Sequence, residues 1–141
     1  MTEEEKTNAV AGIVENWGFT IPRRDTQEVV LRYQLNYVSV IAAKGDENFI
    51  SVNLDNFYEI ENDAEKTAAG VVCNALNYRL LQTKVYINED GVPRCSFEFY
   101  FQTPEDIEFY LRKGLDSVVM AKRDFIRQMT RWLEANTEAD E

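Results

Sequence analysis

Residues 74–106 read NALNYRLLQTKVYINEDGVPRCSFEFYFQTPED. Two runs rich in β-forming residues, 84–88 and 93–102, flank an acidic glycine turn at 89–91, which is a strong hairpin signal. Thr103 then offers a helix N-cap, and the proline after it suits the first helical position. This stretch therefore predicts two antiparallel strands that lead directly into a helix.

Helices are predicted on both sides of this hairpin from the spacing of apolar residues. The earlier helix begins at Asn62 or Asp63, either of which can cap it, and runs to about Leu81. The later helix runs to about Ala135, and at roughly 30 residues it is about 45 Å long. Its apolar stripe consists of Ile107, Leu111, Leu115, Val118, Phe125, Met129 and Trp132. A helix of this length exceeds what its own sheet needs, so either part of it overhangs and meets a partner, or it breaks near Gly114.

The first half of the chain adds one helix and three strands. Residues 3–17 have helical apolar spacing, and residues 21–25 form a turn-like connection. Alternation over 27–43 shifts its phase near 34–36, which indicates two strands, and 49–54 forms a third. The fold class is therefore α+β, with an antiparallel sheet of about five strands and the order α-β-β-β-α-β-β-α.

Composition favours a single soluble domain over residues 1–141. The chain is 45% hydrophobic and has a net charge of −10. Seven of its 25 acidic residues lie in two segments, 1–5 and 134–141, which are predicted to be short frayed tails. An acidic surface disfavours nucleic acid and anionic membranes as partners. No segment resembles a membrane helix or a signal peptide, so a cytoplasmic location is expected.

Catalytic, metal and cofactor sites are not expected in this chain. Histidine is absent, which excludes histidine-dependent triads and histidine metal sites. The six glycines are too scattered for a phosphate loop or a dinucleotide fingerprint. The carboxylates have no distinctive spacing, and Cys73 and Cys95 lie in separate apolar runs, as buried free thiols do. The sequence predicts no catalytic residue, no metal ligand and no cofactor.

Six side chains are candidates for contact with another protein. Three arginines four residues apart share one face of the last helix, where they either meet an anionic partner or balance the acidic end of the chain. Exposed aromatic side chains commonly mark protein interfaces. The candidates are Tyr100, Tyr110, Arg123, Arg127, Arg131 and Trp132. The alternating phenylalanines Phe97, Phe99 and Phe101 are expected to pack in the core.

The residues at 74–77, 84–87 and 89–91 resemble the YbjN family, a group of proposed bacterial sensory transduction regulators. The shared features are an asparagine-bearing helix, a strand and an acidic glycine turn. This resemblance implies a fold like that of the type III secretion chaperones. It further implies a small, acidic, dimeric protein that binds an extended client segment. Within this motif, Asn77 is either a client contact or a hydrogen-bond partner for backbone at the helix end.

The leading hypothesis is a non-enzymatic protein-binding module, a homodimer that holds a partner segment on its sheet and helix surface. Strand addition at a sheet edge or apolar pockets would provide the contact. The alternative is a small-ligand carrier or an enzyme, with a pocket between a curved sheet and the helices. A filled core would argue against that alternative.

Overall fold

The structure, a computed structural model, describes residues 1–140, with the side chains described through Asn136. Three helices and six strands follow one another along the chain. In order they are α1 (Glu3–Asn16), β1 (Arg23–Arg24), β2 (Glu28–Tyr33), β3 (Asn36–Ile41), β4 (Phe49–Asp55), α2 (Asp63–Arg79), β5 (Thr83–Ile87), β6 (Pro93–Tyr100) and α3 (Pro104–Asp140). The strands form one antiparallel sheet in the order β1-β2-β3-β4-β6-β5.

The predicted α+β class and the order of the longer elements are confirmed. The shift in apolar alternation near 34–36 corresponds to a tight turn between β2 and β3. Its residues Gln34 and Leu35 both have positive φ. Gly91, with φ 75°, completes the turn that joins β5 to β6. The sheet has six strands where the sequence predicts about five, because β1 contains only Arg23 and Arg24 and is too short to produce an alternating pattern.

One face of the sheet packs against the helices, and the other carries no helix. On β4 the core face presents Ile50, Val52 and Leu54, which are almost fully buried. β6 continues this face, because Phe97 pairs with Val52 and Phe99 pairs with Ile50. Phe97, Phe99 and Phe101 are therefore core residues, as the sequence predicts.

Helix α3 is continuous through Gly114, and it does not break there. A Cβ atom at this position would lie 2.9 Å from Phe97 Cδ1 and 3.0 Å from Val52 Cγ2, so glycine lets the helix approach the sheet. The later half of α3 packs against α2, and Met129 is fully buried. The apolar stripe is therefore covered by the chain's own sheet and α2 as far as Met129, and only Trp132 at its end is partly exposed.

Residues 1–5, predicted to be a frayed acidic tail, are instead the capped beginning of α1. The Thr2 hydroxyl accepts a hydrogen bond from the Glu5 amide, and the Glu5 carboxylate accepts one from the Thr2 amide, which forms a capping box. Next to this cap, Lys6 is completely buried and donates to the backbone oxygens of Ala43, Glu47 and Phe49 at 2.9, 2.7 and 3.1 Å. In the other predicted tail, 134–136 continue α3, whereas the side chains of 137–140 and the whole of Glu141 lie outside the described residues.

Candidate interaction surfaces

The helix-free face of the sheet carries charged side chains that pair with one another. Arg94 on β6 forms a two-pronged contact with Asp55 on β4, with Nη2 2.8 Å from Oδ2. Lys84 pairs with Glu98, and Arg23 pairs with Glu28 at 2.6 Å. Because opposite charges already face each other across the strands, these side chains offer little net charge to a partner.

The centre of the same face is polar and satisfied internally. Ser51, Asn53 and Ser96 are buried beneath the longer side chains around them. The Ser96 and Ser51 hydroxyls donate to Asn53 Oδ1 at 2.8 and 3.2 Å. Among the described residues, no buried side-chain nitrogen or oxygen atom lacks a hydrogen-bond partner. This face therefore has no unsatisfied buried side chain to bind a ligand.

Both edges of the sheet are protected against the addition of another strand. At one edge, Asn77 of α2 donates to the Val85 carbonyl at 2.9 Å and accepts from the Val85 amide at 2.8 Å. Val85 is the middle residue of β5, so the asparagine amide occupies the position that a new strand would need. The opposite edge is β1, which is only two arginines long. Of the two interpretations of Asn77, the hydrogen bond to backbone is confirmed, although the backbone belongs to Val85 of β5 and not to the end of α2.

Replacing Asn77 with Ala is expected to lower the free energy of unfolding by about 2 kcal/mol, because the Val85 amide and carbonyl lose their partners. Urea unfolding measures the loss, and hydrogen exchange should show faster exchange of the Val85 amide. Asn16→Ala is the control, since Asn16 is exposed at the end of α1 and makes no side-chain hydrogen bond among the described residues. Equal stabilities for the two variants would contradict this role of Asn77.

The middle of α2 exposes no charged side chain. Residues 67–78 contain no acidic or basic residue, although 28% of the chain is charged. Apart from Asn77, which bonds β5, we call its exposed positions the uncharged face: Thr67, Gly70, Val71, Asn74, Ala75 and Tyr78. Val71 is 46% exposed and Tyr78 is 91% exposed. The charge-free run was visible in the sequence, but the positions facing solvent could be separated from the buried ones only in the folded helix.

A groove of about 250 Å³ runs beside the uncharged face, between α2 and α3. Its α2 wall includes Val71 and Ala75, and its α3 wall includes Arg131 and Trp132. Trp132 is partly buried and packs at the margin of the core. The groove thus connects the uncharged face with the indole ring of Trp132. Tryptophan is frequent at the centre of protein interfaces.

The solvent side of α3 is positively charged. We call its five exposed cations the basic stripe: Arg112, Lys113, Arg123, Arg127 and Arg131. At 100° per residue they fall within about 100° of one another around the helix. Arg123 and Arg131 have no acidic oxygen within 4.0 Å among the described side chains, and Arg127 has only a contact of 4.0 Å with Asp124. The basic stripe therefore contains cations that no acidic neighbour neutralises closely.

The six predicted interaction residues do not form one site. Tyr100 is 62% exposed at the end of β6 on the helix-free face, where its hydroxyl accepts from Lys44 at 3.0 Å. Tyr110 is partly buried and stacks on Phe99 with ring centroids 5.3 Å apart. The other four, all on α3, belong to the basic stripe or the groove, and Arg131 belongs to both.

The space between α1 and the sheet leaves no room for a ligand. Between α1 and the sheet, a space lined partly by Lys6, Val10 and Ile50 has a volume of about 0 Å³ for a water-sized molecule. Cys73 and Cys95 are buried and free, and burial raises the pKa of Cys73 to about 11, which disfavours the reactive thiolate. In residues 1–136, no three acidic or cysteine side chains are grouped to hold a metal ion.

No helix within the described residues has a stretch long and apolar enough to cross a lipid bilayer.

Solved structures with this fold include an uncharacterized protein from Methanothermobacter thermautotrophicus, with a TM-score of 0.61 and 12% sequence identity over 89% of this chain and 96% of that one. They also include YbjN from E. coli, a proposed transcription regulator, with a TM-score of 0.56 and 16% identity over 94% of this chain and 92% of that one. Neither a protein-family model nor a curated protein matches the sequence. The fold is therefore YbjN-like, and identities this low establish the fold alone.

Proposed function

We propose that this chain is a cytoplasmic, non-enzymatic protein-binding module with a chaperone-like or regulatory role, which acts as a homodimer joined through the uncharged face of α2. The proposed regulatory role of E. coli YbjN, which has the same fold, supports this class of function. The alternative is a ligand carrier or an enzyme with a pocket between sheet and helices, and the filled space between α1 and the sheet argues against a pocket at that place.

The observation that carries the homodimer is the exposed apolar and uncharged surface of α2. Two copies of a chain with net charge −10 repel each other over most of their surfaces. A twofold interface places the same patch of each copy against its counterpart, so any charge within the patch would face a like charge. The uncharged face avoids that repulsion, and it offers Val71 and Tyr78 for burial.

The closed sheet edges favour the same conclusion. A homodimer formed by pairing edge strands would have to displace Asn77 from Val85 or pair along the two-residue β1. The first route costs the two hydrogen bonds between Asn77 and Val85, and the second provides too few new hydrogen bonds. Association through helix surfaces requires neither change, so the groove beside Trp132 can receive an apolar side chain from the second copy.

Ala75→Glu is expected to convert the dimer to a monomer, because two glutamates would be brought together in a desolvated twofold interface. The unpaired buried charge should weaken association by about 3 kcal/mol or more, which is more than 100-fold in the dissociation constant. Gel filtration with light scattering should give twice the chain mass of 16.4 kDa for the original protein and 16.4 kDa for the variant.

Gln102→Glu is the control, because it adds the same charge at an exposed loop position away from α2. This variant should remain dimeric, and circular dichroism should show that both variants are folded. A monomeric original chain at tens of micromolar, or an Ala75→Glu variant as dimeric as the control, would overturn the proposed dimer.

A further inference from the structure

We infer that the basic stripe of α3 is a docking surface for an acidic protein segment that carries apolar side chains. This inference deepens the proposed function, on which it rests, by assigning a chemistry to the partner. The stripe shares only Arg131 with the groove beside the uncharged face of α2, so its other cations stay free for a client when a second copy is bound.

The charge of the stripe identifies the partner as acidic. In an acidic chain, five exposed cations occupy one side of a single helix between residues 112 and 131. The exposed acid in the middle of this side, Asp116, already accepts a hydrogen bond from the Tyr33 hydroxyl. Burial and the Asp116 carboxylate raise the pKa of Tyr33 to about 12, so the phenol keeps its proton and that bond. With five exposed cations against this one exposed carboxylate, the stripe has a net positive charge that complements an acidic segment.

The arginines in the later half of the basic stripe differ from the cations on the sheet in how closely carboxylates pair with them. Arg94, Lys84 and Arg23 are each paired with a carboxylate on a neighbouring strand. Arg123 and Arg131 make no such pair among the described residues, and α3 presents them on adjacent turns together with Arg127. A segment with carboxylates could contact all three arginines, since the i,i+4 spacing places them in one row about 12 Å long.

Two exposed apolar side chains interrupt the stripe. Phe109 is 58% exposed and Met120 is 59% exposed, and both lie on the solvent side of the helix. They are separated by about 16 Å along the helix axis. Lys113 Nζ lies 5.1 Å from the centre of the Phe109 ring, so cation and ring form a continuous surface. Aromatic and methionine side chains among cations suit an acidic segment that also presents apolar residues.

This combination favours a protein segment over nucleic acid. A duplex is bound mainly through phosphates, and the chain's net charge of −10 opposes a polyanion outside the stripe. A short segment avoids this repulsion because it need not extend beyond the helix. From Phe109 to Arg131 the surface is about 33 Å long, which matches roughly ten residues in extended conformation.

The test uses the full chain and a fluorescent synthetic peptide of 12 residues that alternates pairs of glutamates with leucine or phenylalanine. Fluorescence anisotropy at low salt should show binding that is at least tenfold tighter than for the same peptide with glutamine in place of glutamate. Reversal of three charges in Arg123→Glu, Arg127→Glu and Arg131→Glu together should weaken binding at least tenfold. Met120→Gln should weaken it severalfold without altering the salt dependence.

Arg23→Glu, Lys84→Glu and Arg94→Glu, combined in one chain, form the matched control on the sheet, and this variant should retain binding. Any of three results would overturn the inference. These are no peptide binding below 1 mM, equal binding by the original chain and the α3 variant, and tighter binding of a 12-base-pair DNA duplex than of the peptide.

Light scattering on the same samples separates this inference from the proposed dimer. A dimer that ignores the peptide contradicts the docking surface alone, whereas a monomer that binds it contradicts the dimer alone.

Discussion

Replacing Lys6 with Met is expected to lower the free energy of unfolding by about 3 kcal/mol or more. Methionine can fill the volume, but it has no donor for the backbone oxygens of Ala43, Glu47 and Phe49. Buried carbonyls without partners cost about 1–3 kcal/mol each, and a charged donor makes stronger bonds than a neutral one. Urea unfolding followed by circular dichroism measures the change.

The effect should be specific to the buried lysine. Burial lowers the pKa of the Lys6 ammonium, while the negative charges of Glu3, Asp46 and Glu47 oppose that shift. Lys66→Met is the control, because Lys66 is exposed on α2, and its unfolding free energy should change by less than about 0.5 kcal/mol. If both variants are as stable as the original chain, the hydrogen bonds from Lys6 of α1 to the β3–β4 connection do not stabilise the fold.

Replacing Gly114 with Val is expected to cost about 3 kcal/mol, because the new side chain would overlap Phe97 and Val52 where α3 crosses the sheet. Even Ala should destabilise by about 1 kcal/mol, although alanine is intrinsically the better helix residue by a similar amount. The contacts of 2.9 and 3.0 Å allow no Cβ unless the helix or the strand moves. Thermal and urea unfolding both report the loss.

Gly12→Ala isolates the packing contribution, because Gly12 is helical and exposed and has nothing within 4 Å of the added carbon. This variant should gain up to about 1 kcal/mol from helix propensity. A Gly114→Ala variant that gains as much as Gly12→Ala would show that the crossing of α3 over the sheet tolerates a side chain.

The elements that the sequence predicts well are those with local signals. Asn62 caps α2 by accepting from the Glu65 amide, and Pro104 occupies the first position of α3. The cap of α3 is completed by the Asp106 carboxylate, which accepts from the Thr103 amide at 3.1 Å. Such bonds form within one turn of helix, so sequence spacing alone reveals them.

Features that depend on distant residues could not be predicted. β4 pairs with β6 rather than β5, and no local pattern specifies that choice. Lys6 lies among acidic residues and has the sequence context of a solvated side chain, yet its three partners are at least 37 residues away. The partner of Asn77 is likewise set by how α2 packs beside β5.

The positions of the candidate interaction residues in the fold could be predicted in part, and their role in an interaction stays a prediction. The spacing of Arg123, Arg127 and Arg131 correctly places them on one face of α3, and their use by an acidic partner stays a prediction. Tyr110 belongs to a stack with Phe99 inside the chain's own packing, which its sequence neighbours do not reveal. Val71 and Tyr78 were not singled out, because a helix of small and apolar residues is equally typical of a buried element.

The contact between Asn77 and Val85 limits how far copies of this chain can assemble. A free strand edge can accept a new chain, expose another edge and so continue into a fibre. In this sheet Asn77 occupies the backbone hydrogen bonds at the middle of β5, and β1 is too short to pair with another strand. Neither edge can therefore begin such growth. A twofold contact through the uncharged face of α2 would close on itself, so the pair of copies would present no new strand edge for further growth.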